Sequence, residues 1–487
     1  MKIKQNKKTI TTIIIVMFLG LTLIPISTAD IDNNFKPNND LNIDDKKIGN
    51  VESGFKFLII SPKKFVDELM PLVCHKYEVG VPTRLVTLSE IYDQMYWHGR
   101  DKAEKIKYFI KTAMEEWDIE YVLLVGGMKG QFPRWYVPVR YVNIDCDWEH
   151  RVLSDLYYAD IYDSEGNFSS WDSDGDGIYG EWYYQETPED KYIDLYPDIA
   201  IGRLPCRSEF EVKIMVNKII NYEKNTFGNT WFYDMIVCAG DTYPVSHDPK
   251  WVGNEGEYYG ERALENMTGF NPIRLYTSDG TLSSAADVRN AVKEGCGFLY
   301  FVGHGNPKVW GNHPPDSEEV VRGLSVSNVH RLRNRNKLPV CVLSGCHDLQ
   351  FDVSLFKIFN RTTRYHGEGC AECLGWRLTR KICGGSIATL GCTALGFTKE
   401  DKESFKGGIN ELEVEFFKQY GQNNVDVLGD TWKAAVEWYI DTYPATENDW
   451  DNATADDDAW VDIQIPQTWI LFGDPTLKIG GYPEFSI

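Results

Sequence analysis

The sequence predicts an α/β fold made of two stacked α/β subdomains with mainly parallel sheets. Largely apolar runs at residues 55–60 and 121–125 have the length and β-branched content of buried strands. Residues 101–117 lie between them and carry apolar side chains three and four positions apart, which is typical of an amphipathic helix. A strand, a helix and a strand in this order favour a parallel sheet with helices packed on it.

The second half of the chain repeats this alternation. Helix patterns occur at 255–265 and 283–294, and strand patterns occur at 235–238, 273–276, 298–302 and 338–343. In the first half, Ser208 and Glu211 form a capping box that predicts the start of a helix ending near residue 223. We interpret 222–231 as the boundary between an N-terminal α/β subdomain, 54–228, and a second subdomain, 229–482, that carries the chemistry.

The first 29 residues have the features of a secretory signal peptide. Lysines at positions 2, 4, 7 and 8 precede an apolar stretch at 10–26, and Ser27-Thr28-Ala29 offers small side chains for cleavage. Residues 30–53 are polar and predict a linker or a pro-segment. The alternative is an uncleaved anchor helix. Both arrangements predict a secreted or cell-surface protein, with membrane contact only if the N-terminal segment stays uncleaved.

The charge composition argues against one class of binding partner. Asp and Glu outnumber Lys and Arg by 72 to 50, which gives a net charge of −22 and argues against nucleic acid held through phosphate contacts. A hydrophobic content of 43% is sufficient for a large core. The eleven cysteines are an odd number, so at least one thiol is left over after pairing, as a reactive cysteine would be.

A histidine and a cysteine each follow a buried strand, and each is next to glycine. The strand at 298–302 ends in Gly303-His304-Gly305, and the strand at 338–343 ends in Ser344-Gly345-Cys346. Active sites of open α/β sheets form at the carboxyl ends of strands, and a histidine can activate a thiol as a nucleophile. The backbone N–H groups of Gly305 and Cys346 are candidates for holding an oxyanion. His347 is expected to point to the opposite side of the chain, and the alternative interpretation of the pair is simple packing.

These segments resemble those of the caspase-like cysteine peptidases, and in detail those of the gingipain family. The similar segments are Tyr300-Phe301-Val302-Gly303-His304-Gly305, followed by Trp310-Gly311, and the late run Trp469-Ile470-Leu471-Phe472-Gly473-Asp474-Pro475-Thr476-Leu477. The resemblance covers residues 55–480 and implies a caspase-like fold with His304 and Cys346 as the catalytic dyad.

The resemblance also implies two acidic residues at the site. An acid that orients the imidazole corresponds to Asp241, for which the alternative is a turn-forming aspartate. An acid that selects Arg or Lys before the scissile bond corresponds best to Glu257, with Glu255 and Glu261 nearby. The alternative for these glutamates is an acidic first helical turn that complements the helix dipole.

The N-terminal half contains a candidate calcium loop. Alternating carboxylates and glycines in 172–181 place several hard oxygens around one point, as calcium requires. Glu181 falls two positions early for a twelve-residue loop, so Asp160 or Asp163 could complete the shell. The alternative is a solvated acidic turn. The predicted ligands are Asp172, Asp174, Asp176, Ile178 and Glu181.

A second cluster consists of cysteines. Cys370 and Cys373 form a Cys-x2-Cys pair, and Cys383 and Cys392 follow. Four cysteines in this pattern could act as the ligands of a zinc ion. The gingipain family has no zinc there, and disulfides or buried thiols are the favoured interpretation for an exported chain.

The sequence therefore predicts a secreted cysteine endopeptidase acting on protein or peptide substrates through a thioester acyl-enzyme, and the resemblance implies cleavage after Arg or Lys. Structural calcium is expected, and no organic cofactor. Two alternatives are a calcium-holding binding module of the same fold without activity and a thiol transpeptidase, which shares the acyl-enzyme chemistry.

Overall fold

The computed structural model describes residues 54–145, 148–183, 186–244, 253–398, 407–451 and 457–483. The predicted signal peptide and the linker at 30–53 lie outside these residues. The chain from Gly54 onward forms one compact unit. Within the described ranges, every helix is too short or too polar to cross a bilayer.

A ten-stranded sheet forms the centre of this unit. The strands of the first half are short and mostly buried, and two small two-stranded sheets accompany them. The strands of the whole chain are β1 Phe57–Ser61, β2 Thr83–Thr87, β3 Tyr121–Val125, β4 Arg140–Val142, β5 Ile144–Asp145, β6 Val152–Ser154, β7 Trp182–Tyr183, β8 Ala200–Leu204, β9 Asp234–Ala239, β10 Asn271–Tyr276, β11 Phe298–Val302, β12 His304–Asn306, β13 Val309–Asn312, β14 Val321–Ser325, β15 Val340–Ser344, β16 Ala388–Cys392 and β17 Trp469–Phe472.

The order of strands in the large sheet is β10-β9-β11-β15-β16-β17-β8-β3-β1-β2. All neighbouring pairs are parallel except β16 and β17. The α/β class with a mainly parallel sheet is therefore confirmed. The two sequence halves contribute separate blocks of strands, and these blocks join edge to edge in one continuous sheet through β17 and β8. The exact subdomain boundaries stay a prediction.

The single antiparallel pair determines which strand ends share an edge of the sheet. Strands on the two sides of the β16–β17 junction run in opposite directions. The carboxyl ends of β9, β11, β15 and β16 consequently share one edge of the sheet, whereas those of β1, β3 and β8 lie at the opposite edge. The sequence-predicted histidine and cysteine both belong to the first group.

Helices flank the sheet, and most of them bury part of their surface. The helix predicted at 101–117 begins at Lys102, with the Asp101 carboxylate accepting the N–H of Glu104 at 2.8 Å as an N-cap. The helices are α1 Val66–Glu78, α2 Leu88–Gln94, α3 Lys102–Trp117, α4 Glu209–Asn225, α5 Glu255–Asn266, α6 Ala285–Lys293, α7 Arg361–Tyr365, α8 Leu374–Thr379, α9 Ile409–Gly421, α10 Leu428–Thr442, α11 Glu447–Asp451 and α12 Asp457–Thr468.

A buried ionic cluster holds the end of the sheet's last strand in place. The Lys76 ammonium lies 2.9 Å from Asp474 Oδ2 and 2.8 Å from Glu223 Oε1, and both Lys76 and Glu223 are fully buried. Asp474 also accepts the N–H and hydroxyl of Thr476 through Oδ1. The Phe-Gly-Asp-Pro-Thr run is therefore fixed to α1 and α4 by a charge network, which gives this sequence feature a structural reason.

Candidate active site

Strands β11 and β15 place His304 and Cys346 at equivalent positions beyond the same edge of the sheet. The two strands are parallel neighbours, and Val302 pairs with Ser344 at their last register position. His304 and Cys346 each lie two residues beyond that position. A Cβ atom on Gly345 would come within 2.8 Å of the Gly305 nitrogen, so the two strand ends are in van der Waals contact.

Glycine is required at this junction because a carboxyl group occupies the adjacent space. A Cβ atom would lie 2.2 Å from Asp348 Oδ2 at Gly305 and 2.4 Å from the same oxygen at Gly345. Asp348 is fully buried, and neither carboxyl oxygen has a hydrogen-bond partner among the described residues. Burial raises the pKa of Asp348 well above its ordinary value, which favours the neutral acid next to the two strand ends.

A backbone carbonyl orients the imidazole of His304. Its Nε2 lies 2.7 Å from the carbonyl oxygen of Thr242, in the loop after β9. A carbonyl can only accept, so Nε2 carries the proton and the lone pair of the neutral ring is on Nδ1. The ring of His304 also makes edge-to-face contacts with Tyr243 and His313, at centroid distances of 5.8 and 5.5 Å.

Two buried side chains after β12 fix the strand ends. Asn312 donates from Nδ2 to the carbonyl of Val302 at 2.8 Å and to the hydroxyl of Thr242 at 3.2 Å. Trp310 donates from Nε1 to the carbonyl of Ser344 at 3.0 Å. The hairpin that follows His304 is thereby attached to the ends of β11 and β15 and to the loop that orients the histidine.

The Cys346 thiol lies against the loop that follows β16. Its Sγ is 3.4 Å from the Gly396 nitrogen, whose N–H points at the sulfur, and Cys346 is half-buried. Burial raises the pKa of this thiol to about 11, which the Gly396 N–H opposes and the charge of Glu149 reinforces. A thiolate at this position therefore needs a proton acceptor or the developing charge of a bound substrate to form.

The side chain of His347 packs against Trp148 and Glu149. Its φ of 60° places it in the left-handed region, and its ring stacks on Trp148 at a centroid distance of 5.0 Å. Nε2 lies 3.1 Å from Glu149 Oε1 without hydrogen-bond geometry. Burial lowers the pKa of His347 to about 4, so the ring is neutral and this contact is not an ion pair.

The acidic residues predicted from the resemblance lie close to this site. Asp241 Oδ2 accepts the N–H of Asp316 at 2.7 Å, and its carboxyl group faces that of Glu255. The orienting acceptor of His304 Nε2 is the neighbouring residue, Thr242. A direct role of Asp241 on the imidazole stays a prediction.

The three glutamates at the start of α5 have different environments. Glu257 accepts the N–H and hydroxyl of Ser278 at 3.1 and 2.7 Å, and it is 9% exposed. Glu255 lies beside Asp241, and Glu261 is held by Arg274 and Tyr276. A Cβ atom on Gly256 would lie 2.9 Å from Thr242 Oγ1, so the helix start is in contact with the loop that orients His304.

The profile of peptidase family C25 matches residues 50–480. The chain belongs to peptidase family C25. The predicted relationship to the gingipain family of cysteine peptidases is confirmed.

Relatives of this C25 family member show moderate similarity. Gingipain R2 of Porphyromonas gingivalis is 23% identical over 310 residues, which are 62% of this chain and 33% of that protein. An uncharacterized protein of Archaeoglobus fulgidus is 25% identical over 405 residues, which are 78% of this chain and 86% of the relative. The present chain thus spans about a third of the length of gingipain R2.

Solved structures support the fold. The Arg-specific cysteine proteinase gingipain R matches with a TM-score of 0.57 at 18% identity, over 88% of this chain and 79% of that one. The complex of the Porphyromonas gingivalis RgpB pro- and mature domains matches with a TM-score of 0.58 at 17% identity, over 87% and 79% of the two chains. The caspase-like fold class is therefore confirmed.

The acidic loop of the C25 chain brings the predicted carboxylates together. Side-chain oxygens of Asp172, Asp174 and Asp176 lie within 4.8 Å of one another, and so do those of Asp174, Glu181 and Glu189. Glu189 was not anticipated from the loop pattern. The two residues considered for completing the shell have other partners, because Asp160 accepts from Trp171 Nε1 at 2.8 Å and Asp163 accepts the N–H groups of Glu165 and Asn167.

One acid in this loop has an unsatisfied oxygen. Glu181 is 1% exposed, and its Oε2 has no hydrogen-bond partner among the described residues. Burial raises the pKa of Glu181, and the charges of nearby acids add to this increase. Arg100 pairs with Asp172 and supplies one compensating charge. Ile178 donates its N–H to Asp176 at 2.7 Å. Its role as a calcium ligand stays a prediction.

The cysteines of the second cluster are free thiols. Cys370, Cys373 and Cys392 are buried, and Cys383 is exposed. Among the residues that the structure describes, all groupings suitable for a metal ion are acidic. This agrees with buried thiols, one of the two interpretations favoured over zinc.

Several residues at the site were not anticipated from the sequence. Thr242 acts through its carbonyl, which no side-chain pattern reveals. Gly396 lies fifty positions after Cys346, in the loop that follows β16, and the spacing carries no recognisable signal. Asp348 and Glu149 carried no recognised motif.

Proposed function

We propose that this protein is an exported thiol endopeptidase in which Cys346 is the nucleophile and His304 is the general base. One observation carries the proposal. The parallel register of β11 and β15 ends at Val302 and Ser344, and it leaves the histidine and the cysteine at equivalent positions on one sheet edge. Membership of a peptidase family supports the same chemistry.

The orientation of His304 fits the role of a base. Because Nε2 donates to the Thr242 carbonyl, Nδ1 is the nitrogen that accepts the Cys346 proton. The imidazolium that forms keeps its bond to that carbonyl, which stabilises the positive charge. Since burial disfavours the isolated thiolate, proton transfer and attack on the scissile carbonyl are expected to occur together.

Covalent catalysis then follows in two steps. The sulfur forms a bond to the carbonyl carbon of the substrate, and the carbonyl oxygen gains a negative charge near the N–H groups of Gly305 and Cys346. Collapse of this intermediate breaks the C–N bond, and His304 returns its proton to the leaving amine. Water, deprotonated by the same imidazole, hydrolyses the thioester and releases the thiol.

We propose a preference for Arg or Lys before the scissile bond, with Glu257 as the residue that selects it. Support comes from the burial of Glu257 and from the contact of its helix start with Thr242. A buried carboxylate favours a cationic side chain and is left uncompensated by an apolar one. Glu261 is already paired with the cation Arg274, and Glu255 faces another acid, Asp241. The partners of Glu257 are the neutral donors of Ser278 and Asn254, which makes Glu257 the stronger candidate.

A calcium ion in the acidic loop is part of this proposal. Carboxylates from Asp172, Asp174, Asp176, Glu181 and Glu189 gather there, and the buried Glu181 Oε2 needs a partner. A divalent cation with oxygen ligands meets both requirements. The role is structural, since a calcium ion would link the loop before β7 to the segment that follows β7.

Export to the outside of the cell is proposed from the basic and apolar start of the sequence. Substrates are then proteins or peptides outside the cytoplasm, and the strongly negative chain favours cationic ones at low salt. This attraction is expected to weaken as ionic strength rises.

The experiment that tests the proposed function is hydrolysis of matched peptide substrates. We expect the wild-type chain to cleave them, and Cys346→Ala to lose hydrolysis while retaining its melting temperature. For specificity, kcat/KM is compared for Arg, Lys, Leu and Asp substrates in wild type, in Glu257→Gln and in the exposed control Glu265→Gln. Preferred cleavage after Leu or Asp would overturn the basic preference, and an unchanged Glu257→Gln would place the selecting acid elsewhere.

A further inference from the structure

A buried pair of carboxyl groups lies directly behind the hydrogen-bond acceptor of His304. Asp241 is 1% exposed and Glu255 is 3% exposed, and the two groups are within hydrogen-bonding reach of each other. Asp241 Oδ2 accepts the Asp316 N–H at 2.7 Å, and Glu255 Oε2 accepts the Tyr243 N–H at 3.2 Å. The remaining oxygens, Asp241 Oδ1 and Glu255 Oε1, have no donor among the described residues. A single proton held between them satisfies both.

The pair is connected to the catalytic histidine through three consecutive residues. Asp241 donates its N–H to the His313 carbonyl at 3.0 Å, and Tyr243 donates its N–H to Glu255. Thr242 lies between these two anchors and presents its carbonyl to His304 Nε2. The position of this carbonyl therefore depends on the carboxyl pair that holds the residues on either side.

The start of α5 is packed tightly enough to transmit this dependence. A Cβ atom on Gly256 would lie 2.8 Å from the Gly240 carbonyl oxygen, and 2.9 Å from both Thr242 Oγ1 and Asn312 Nδ2. These distances leave no space for a side chain between the helix and the loop. A displacement of Glu255 is consequently a displacement of the segment 240–243.

We propose that Asp241 and Glu255 share one proton, and that this pair is a positioning device that holds the Thr242 carbonyl against His304. The inference rests on the proposed thiol peptidase function and assigns both acids a role through the backbone. With the proton present, the pair carries one negative charge and a hydrogen bond. Without it, two buried carboxylates face each other and repel, which loosens the anchor of Tyr243.

The titration of the pair has a defined sign. Burial raises the pKa of Glu255 from 4.5 to about 7, and the facing Asp241 adds to the increase. The folded state therefore holds a proton that the unfolded state loses, so this contribution to stability is complete below about 4.5 and declines as pH rises to about 7. The other titratable side chains on the packed elements are His304, His313, Tyr243, Glu257 and Asp316.

The first experiment is the pH dependence of kcat in three variants. Glu255→Gln keeps an acceptor for the Tyr243 N–H and supplies a permanent donor to Asp241. We expect it to match wild type at pH 6 and to lack the several-fold loss that wild type shows above pH 7. Glu255→Ala removes the anchor and is expected to lower kcat at every pH. Glu265→Gln, an exposed change on the same helix, is the control.

The second experiment does not depend on activity. Difference infrared spectra of wild type minus Glu255→Gln should show a protonated carboxyl group at pH 6 that disappears above pH 7. The melting temperature of wild type, relative to Glu255→Gln, should fall between pH 5 and 7. Parallel melting curves and no protonated carboxyl band would overturn the shared proton, even if the enzyme is active. Failure of wild type to hydrolyse any peptide would instead count against the proposed function, and the spectra would still decide the pair.

Discussion

His304 Nε2 lies 2.7 Å from the carbonyl oxygen of Thr242, so the protein backbone fixes the tautomer of this imidazole. The acceptor belongs to the loop after β9, the strand beside β11 in the sheet. Three neighbouring strands therefore supply the orienting carbonyl, the proposed base and the proposed nucleophile in order across one edge. All three strands belong to the second half of the chain.

The two histidines next to the catalytic strands should differ sharply in a mutational test. His304→Ala is expected to reduce kcat/KM by about 10²- to 10⁴-fold, because the thiol loses its proton acceptor. His347→Asn is the matched control, since Asn tolerates the positive φ at this position and the ring is buried and neutral. Steady-state kinetics on one substrate measure both. A larger loss of kcat/KM in His347→Asn than in His304→Ala would identify His347, and not His304, as the general base.

The glycines between the strand ends should be intolerant of any side chain. Gly345→Ala would place a methyl group 2.4 Å from Asp348 Oδ2 and 2.8 Å from the Gly305 nitrogen. The strand ends must then separate, and a displacement of about 1 Å between reacting groups lowers the rate by about 10²-fold. Adding Asp348→Ser creates space and should restore part of kcat. Unchanged activity in Gly345→Ala alone would show that the contact is not critical.

Local pattern predicted the parts of this site that depend on adjacent residues. The apolar runs ending in Gly303-His304 and Gly345-Cys346 are visible in the sequence because strand burial and the glycine requirement are local properties. The single continuous sheet was not predicted, since it depends on β17 inserting between strands of both halves. Glu149 reaches the site through the Leu395 N–H, 246 positions away, and no spacing rule encodes such a contact.

Calcium should stabilise the fold through the acidic loop. At a free calcium concentration 100 times the dissociation constant of the site, binding adds about 2.7 kcal/mol to the free energy of unfolding. Melting temperature should thus rise with calcium in wild type and fall with a chelator, and Glu181→Gln should reduce this response. Glu165→Gln, an exposed change in a nearby turn, should respond like wild type. Identical melting curves with calcium and with chelator would identify the loop as a plain acidic turn.

The ionic cluster around Lys76 should be important for stability. Lys76→Met leaves Glu223 and Asp474 buried without their cation, which is expected to cost about 3–5 kcal/mol of unfolding free energy. Lys56→Met removes an exposed pair with Asp118 and Glu120 and should cost about 1 kcal/mol or less. Urea unfolding of the two variants measures the difference, and equal midpoints would contradict the proposed importance of the cluster.

The same cluster has a pH dependence with a definite sign. Although burial alone would raise it, the charge of Lys76 lowers the pKa of Glu223 below its ordinary value. The stabilisation is therefore present above that ordinary value and is lost as pH falls through the lower, folded-state pKa. Glu223→Gln should flatten the acid limb of a stability profile below about pH 4.5, the ordinary pKa of a glutamate. A wild-type profile that is already flat in this range would argue against the ion pair.

The most direct test of the proposed Cys346–His304 mechanism is to locate the nucleophile by covalent labelling. Peptidyl chloromethyl ketones ending in Arg or in Leu are allowed to react with the full chain, and the modified peptide is identified by mass spectrometry. Using both ketones separates the nucleophile from the question of specificity, and the exposed thiols of Cys74 and Cys383 serve as internal controls for non-specific alkylation. The proposed mechanism predicts rapid modification of Cys346 by at least one ketone, slower modification in His304→Ala, and none at this position in Cys346→Ala. Hydrolysis that continues while Cys346 remains unmodified, or labelling no faster than that of Cys74, would contradict it.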